Sequence, residues 1–326
     1  MQALFKLHEI HSIDHHFNFF KLRCKMKKIA IFCANGIGDF ILMTVLAFNA
    51  KSSYHITLFH PFPEPFRPLF PQFTIEHADD FHPLTYDLTI VENDHSAYAY
   101  RLADLRKKGH AIIFIFPKPS LLYQAGDFLF DQNLTFTKNL LKISKTLFQA
   151  EVLHNGLDLD DTPYRVYEKE VLIHPSSKNP GKIWPMSKFL DIYDFLKKKG
   201  YSPKFVMNAK EKESFDQDRY EILMTPTLFD LAKRIKMTGF FIGCDSGPGH
   251  MASALKIPTL TIFPNPQLAK VWHPCFYLNV LATPPFKIPR LGPKDFNLMS
   301  LFWHRMIPCW LVKRKFLELV EKAEAS

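Results

Sequence analysis

Three short segments carry more turn-forming, hydroxylated and ionisable residues than a plain scaffold needs. The first is Asn35-Gly36-Ile37-Gly38-Asp39. Gly36 and Gly38 let a backbone approach a ligand closely and open a helix whose free N–H groups favour an anion, which makes Asp39 a candidate general base. The alternative, Asp39 as nothing more than a helix cap, stays open. The second is the run from His174-Pro175-Ser176-Ser177-Lys178 to Gly181-Lys182-Ile183-Trp184-Pro185. The hydroxyls of Ser176 and Ser177, clustered backbone N–H groups and Lys182 suit a diphosphate, because charge-assisted hydrogen bonds contribute roughly 1.5 to 3 kcal/mol against about 1 for neutral ones. A Pro/Gly/Ser loop with a surface lysine is the alternative. The third is Gly243-Cys244-Asp245-Ser246-Gly247-Pro248-Gly249-His250-Met251-Ala252. Asp245 can accept sugar hydroxyls, the helix start at Ser246 and Gly247 can neutralise an oxyanion, and His250 can donate to a phosphate or be structural.

Each segment follows a short apolar run. Lys-Lys-Ile-Ala-Ile-Phe-Cys after Met26 reads as a first strand, and Phe40–Ala50 as the helix that follows the glycine turn. His55–His60, Leu88–Glu92 and Ala111–Phe116 read as further strands, with a helix over Tyr100–Lys108 and a loop over Pro61–Pro71. A second alternating series comprises strands at Val171–His174, Lys204–Met207, Phe240–Cys244 and Thr259–Phe263, and helices near Ser187–Lys199, Leu228–Lys236 and from Gly249. Alternation of this kind predicts parallel sheets covered by helices, with ligands at the strand carboxyl ends. Gln149–Glu168, with Asn155-Gly156 and the acidic run Asp158–Asp161, reads as the connection. The last helix, Val312–Ala325, carries Phe316, Leu317, Val320 and Ala323 near helical spacing and could pack on either half.

The composition agrees with two cores. The chain has 326 residues, 47% hydrophobic, and no apolar run near the roughly 18 residues of a membrane span. The first residues lack a secretory pattern, so a cytoplasmic setting is the expectation, and the five Cys have no metal-like spacing and read as ordinary thiols. A formal charge of +9 predicts an acidic partner and a basic cleft, while no nucleic-acid-binding module is visible. Asp79-Asp80 and Asp160-Asp161 read as loop charge rather than metal ligands.

Gly38-Asp39-Phe40-Ile41-Leu42, His-Pro-Ser-Ser…Lys-Ile-Trp-Pro and Asp245-Ser-Gly-Pro-Gly-His-Met-Ala-Ser-Ala-Leu255, in this order, resemble glycosyltransferase family nine, the lipopolysaccharide heptosyltransferases. The resemblance implies an α/β fold of GT-B type, with two doubly wound Rossmann-like domains facing a central cleft. With the readings above, the expected organisation is an N-terminal extension (1–25), or else a wrongly assigned start with Met26 as the true one, an acceptor-side domain (26–155), a linker (156–168), a donor-binding domain (169–311) and a C-terminal helix (312–326). The resemblance further implies inverting transfer without metal or cofactor from a nucleoside diphosphate sugar, ADP-heptose in the best-known members. The acceptor would be an anionic lipid-linked glycan, met by peripheral contact at the cytoplasmic face of the inner membrane. Asp39 would be the base, beside an acceptor-side loop at Gly36 and Gly38. Ser176, Ser177 and Lys182 are similar to the family's phosphate binders, Asp245 to its sugar ligand, Ser246, Gly247 and His250 to its diphosphate-proximal helix start, and Glu211 to its ribose ligand. Val45 and Phe263-Pro264-Asn265-Pro266 depart from the family pattern, the second on the nucleotide side, where Pro264 fixes φ and removes a donor. A donor other than ADP-heptose, and a sugar-nucleotide-binding member without catalysis, are therefore the alternatives.

Overall fold

The computed structural model describes residues 28–92, 97–117, 123–212, 219–286 and 302–326. The expected N-terminal extension, Cys24 and the choice of Met26 lie outside them. Five short strands, β1 (Lys28–Phe32), β2 (His55–His60), β3 (Thr74–His77), β4 (Leu88–Glu92) and β5 (Ile112–Ile115), pair in parallel in the order β3-β2-β1-β4-β5. A second parallel sheet has the order β11-β10-β9-β6-β7-β8, built from β6 (Tyr167–His174), β7 (Ser202–Met207), β8 (Ile222–Met224), β9 (Thr238–Cys244), β10 (Thr259–Ile262) and β11 (Asn279–Ala282). Both central strands, β1 and β9, are buried along almost their whole length, which is why they read as unbroken apolar runs rather than alternating ones.

The helices are α1 (Ile37–Ala50), α2 (Ala97–Lys107), α3 (Phe136–Phe148), α4 (Met186–Lys198), α5 (Ala209–Lys212), α6 (Leu228–Met237), α7 (Gly247–Ala254), α8 (Pro266–Trp272) and α9 (Cys309–Glu324). Every strand and helix expected from the sequence is present within a few residues of its expected bounds. The sequence reading assigns no element to β3, α3, β8, α8 or β11. β3 and β8 have four and three residues, too few for a period to declare itself. The ends of α3 are set by local chemistry: the Thr135 hydroxyl accepts the Lys138 N–H at 3.2 Å, and Gln149 turns left-handed at φ 55°.

The two sheets are joined by a shared core. One buried apolar cluster runs from Ile31 and Phe40 into Leu172, Phe241 and Met251, because α1 lies directly against α7. The connecting segment is strapped to α1 and to the loop after β2: Asn49 Nδ2 donates to Val152 O at 2.9 Å and Asn155 Nδ2 to Ile41 O at 3.2 Å, and Gln72 Nε2, in that loop, donates to Gly156 O at 2.6 Å. Gly156 adopts φ +80°, a conformation open to glycine, and any Cβ there would meet the Gln72 side chain. β6 begins at Tyr167, inside the stretch expected to be linker. The last helix, α9, packs on the second sheet through Val312, Phe316 and Leu319, whereas Leu317, expected in its apolar stripe, is 38% exposed. No helix among the described residues is long and apolar enough to cross a membrane.

Candidate active site

In each sheet the chain winds outward in opposite directions from two adjacent strands, β1 and β4 in the first and β6 and β9 in the second. A crevice therefore opens at the carboxyl ends of each pair. The two crevices face one cleft of about 1740 Å3. Gly36, Gly38 and Asp39 reach it from the β1–α1 turn, and Ser176, Ser177 and Lys182 from the loop after β6. Glu211 reaches it from α5, and Asp245, Ser246, Gly247 and His250 from the β9–α7 junction. All the residues singled out in the sequence are thus brought together.

Asp39 is not the helix cap. Gly36 holds that position with extended backbone (φ −121°, ψ 146°), and Asp39 stands in the first turn of α1, where the positive end of the helix dipole favours a carboxylate. Its carboxyl folds back over Gly36, so a Cβ at Gly36 would collide with it. Gly38 allows the two halves to touch: a Cβ there would lie 2.9 Å from His250 Cδ2 and 3.6 Å from Gly247 Cα. The reciprocal contact, Gly247 against the Ile37 side chain, is equally tight, so the turn that carries Asp39 and the start of α7 are held at van der Waals distance.

Across from Asp39, Lys182 Nζ lies 2.6 Å from Asp245 Oδ2, with the Lys182 side chain 37% and that of Asp245 8% exposed. The two residues nominated for different parts of a donor are thus paired with each other. Ser177 Oγ donates to Asp245 O at 3.2 Å. Ser176 Oγ donates to Glu211 Oε1 and sits 3.5 Å from His174 Nε2, while Ser246 Oγ lies 3.4 Å from His174 Nδ1. His174 therefore ties two of the hydroxyl-bearing loops together, a role the sequence reading did not give it; its place as the last residue of a buried strand was the available signal. Glu211 also has a structural task. Its Oε2 accepts the Asn208 N–H at 2.8 Å while Asn208 Oδ1 accepts the Glu211 N–H at 3.0 Å, a reciprocal cap legible in the Asn-x-x-Glu spacing.

The start of α7 is a narrower anion site than its glycines suggest. Pro248 has no N–H, and the Gly249 N–H is taken by Ser246 O at 3.1 Å. The charge of the cleft also differs from the expected basic one. Among the described lining residues stand five carboxylates, Asp39, Glu64, Glu211, Asp230 and Asp245, against two ammonium groups, Lys178 and Lys182. The surplus of +9 resides elsewhere on the chain. Among the described residues no three His, Cys, Asp or Glu side chains are grouped to hold a metal ion.

Burial pushes the His250 imidazole down to about 4; the Asp245 carboxylate opposes this, and Lys182 and His273 reinforce it. Its Nδ1 is buried without a hydrogen-bond partner. His250 is therefore neutral at pH 7 and can donate to an anion without adding charge. Burial also lowers His174, with Glu211 opposing. An unfolded His titrates near 6.5, so below that value the unfolded chain binds protons that folded His250 refuses. Stability is complete above pH 6.5 and declines as the pH falls toward 4. His250 alone should remove about 2 kcal/mol between pH 7 and pH 5. Denaturant unfolding of wild type and His250→Gln at the two pH values checks this: the variant should lose less stability on acidification, and an identical loss would show that His250 is charged in the folded protein.

The sequence model of Glycosyltransferase family 9 (heptosyltransferase) matches residues 119–274, a span that contains the loops after β6 and β9. That span is just under half of the 326-residue chain, and over it the chain is similar to this family. Lipopolysaccharide heptosyltransferase 1 of Campylobacter coli is 33% identical over 144 residues, 40% of either chain. Lipopolysaccharide heptosyltransferase 3 of Escherichia coli K12 is 30% identical over 108 residues, 30% of this chain and 31% of that one. The matched stretches thus span well under half of these relatives. Over nearly the whole chain the fold is that of a family 9 glycosyl transferase from Veillonella parvula, with TM-score 0.64, 15% identity and coverage of 91% of this chain and 98% of that one. It is likewise similar to E. coli heptosyltransferase WaaC with ADP, with TM-score 0.61, 13% identity and coverage of 90% and 99%. The chain thus has the two-domain GT-B arrangement expected from its sequence. Asp39 lies outside the matched span 119–274 and lines the cleft across from the loops after β6 and β9.

Proposed function

We propose that this chain is a member of glycosyltransferase family 9, an inverting glycosyltransferase that moves heptose from ADP-heptose to a lipid-linked glycan of the lipopolysaccharide type, without a metal. The observation that carries the reading is the opposition, across one cleft, of a carboxylate on the first sheet and a hydroxyl, lysine and helix-start cluster on the second. Asp39 takes the proton of the acceptor hydroxyl. The hydroxyl oxygen then attacks the anomeric carbon on the face opposite the leaving group, and the bond from that carbon to the phosphate oxygen breaks with its electron pair going to the nucleoside diphosphate. Ser176, Ser177, neutral His250 and the Gly247 N–H offer hydrogen bonds to the departing diphosphate, and Lys182 offers charge once it turns from Asp245. Asp245 is then free to accept hydroxyls of the transferred sugar, and Glu211 those of the ribose. The proximity of the Gly38 turn to α7 keeps base and leaving group in one geometry. Peripheral contact at the cytoplasmic face of the inner membrane follows from such an acceptor.

Thermal unfolding with ADP, UDP, GDP or CMP tests the donor. At about a hundred times its dissociation constant a ligand adds roughly 2.7 kcal/mol to the folded state, so ADP alone should raise the midpoint by several degrees. Preference for another nucleotide would change the donor and keep the transfer. ADP binding without product on long incubation with ADP-heptose and glycan would make the chain a binding protein.

A further inference from the structure

His174 ends β6 and is buried, and its two ring nitrogens face two different loops of the cleft. Nε2 lies 3.5 Å from Ser176 Oγ in the loop after β6, and Nδ1 lies 3.4 Å from Ser246 Oγ at the start of α7. A serine hydroxyl has one hydrogen to give. That of Ser176 goes to Glu211 Oε1, and that of Ser246 goes to Cys244 O at 3.2 Å. Both oxygens therefore present lone pairs to the ring. A neutral imidazole carries a hydrogen on one nitrogen and a lone pair on the other, so it can donate to one serine but must draw on the hydrogen of the second or face it lone pair to lone pair. An imidazolium donates to both. The count matters to an anion, because Ser176 and Ser246 both line the cleft and a hydroxyl holds a diphosphate by donating to it. With His174 doubly protonated, both serine hydrogens are free to turn from Glu211 and Cys244 to the ligand.

We infer that His174 is a positioning residue that takes up a proton when the nucleoside diphosphate sugar binds, so that its two N–H groups hold Ser176 and Ser246 while both serine hydroxyls donate to the diphosphate. The inference rests on the donor reading of the cleft. The proton comes from solvent on binding and returns there when the nucleoside diphosphate leaves. The surroundings set the balance. Glu211 on α5 has Oε1 3.8 Å from Nε2 and favours the charged ring, whereas burial holds the ring below its ordinary value. On β9 the Cys244 thiol is neutral, pushed up by burial to about 12. At the β9–α7 junction Asp245 is paired with Lys182 of the loop after β6, and His250 on α7 is neutral at pH 7. Burial prevails at pH 7 until a diphosphate at Ser176 and Ser246 adds negative charge to that of Glu211.

The probe is ADP-heptose, whose phosphates lack the second ionisation that a terminal phosphate has at about pH 6, so that protons exchanged on binding belong to the protein. Its binding to the full chain is measured by calorimetry at pH 7 in PIPES and in Tris, buffers of low and high ionisation enthalpy, and its affinity is followed from pH 8 to pH 6. The heats should differ in the sense of uptake, by about half a proton or more per ligand, and the affinity should rise as the pH falls. His174→Gln, with one donor and one acceptor fixed on its amide, should take up no proton and bind about tenfold more weakly at pH 6. Ser246→Ala is a second test that leaves the buried ring in place: with one hydroxyl left to hold, the neutral ring suffices, and the uptake should disappear. Equal heats in the two buffers with a flat affinity for wild type, or uptake undiminished in either variant, would overturn the inference. Failure of both ADP-heptose and ADP to bind would instead remove the donor reading on which it rests.

Discussion

Asp39→Asn is expected to lower transfer by about 10²- to 10⁴-fold, the usual contribution of a positioned general base, while ADP binds within about twofold of wild type. The split follows from the fold. Asp39 is carried by α1 on the first sheet, and the lysine and serines proposed to hold the diphosphate are carried by the loop after β6 on the second. Asparagine keeps the size of the side chain in the first helical turn over Gly36, so the loss reports the missing base rather than a rearranged turn. Product formation from ADP-heptose and glycan, measured beside ADP affinity by calorimetry, checks both halves. Turnover at the wild-type rate would remove Asp39 from the mechanism, and a parallel loss of ADP binding would show that it holds the two halves together instead.

Lys182→Ala should act on the other side of the reaction. A charge-assisted contact to phosphate contributes about 1.5 to 3 kcal/mol, so donor affinity should fall by roughly 10- to 150-fold. The ion pair with Asp245 adds a second effect. Removing Lys182 leaves the buried Asp245 carboxylate facing the cleft without its 2.6 Å partner, which should destabilise the chain by about 1 to 2 kcal/mol, less than for a fully buried pair because Lys182 is partly exposed. A cycle of Lys182→Ala, Asp245→Asn and the double variant separates the two. The stability loss should largely vanish in the double variant, and the loss of ADP affinity should persist. Donor affinity unchanged in Lys182→Ala would confine this lysine to neutralising Asp245.

Much of the fold is legible in the chain because parallel strands buried on both faces must be continuous apolar runs, and Ile29–Phe32, Val171–Ile173 and Phe240–Cys244 are such runs. The turns after them are legible for a related reason. A strand end that feeds a helix without obstruction needs glycine, hydroxyl or proline, and Gly36-Ile-Gly38, Pro175-Ser-Ser and Ser246-Gly-Pro-Gly supply them. Short elements escape this logic. β8 is Ile222–Met224 and β3 is Thr74–His77, and each owes its strand conformation to the neighbour it pairs with, β7 in one case and β2 in the other.

By itself, then, the sequence determined the two series of alternating elements, the three loops at their carboxyl ends and the residue types those loops carry, because these depend on periodicity and turn chemistry within a dozen residues. The tertiary structure alone decided who partners whom. The loop after β6 meets the β9–α7 junction because β6 and β9 are adjacent strands, and that adjacency sets Lys182 against Asp245 and His174 between Ser176 and Ser246. It also decided the sign of the charge in the cleft. A net +9 is a sum over the whole chain, whereas a substrate meets only the side chains within a Debye length, and among the described residues lining the cleft carboxylates outnumber ammonium groups.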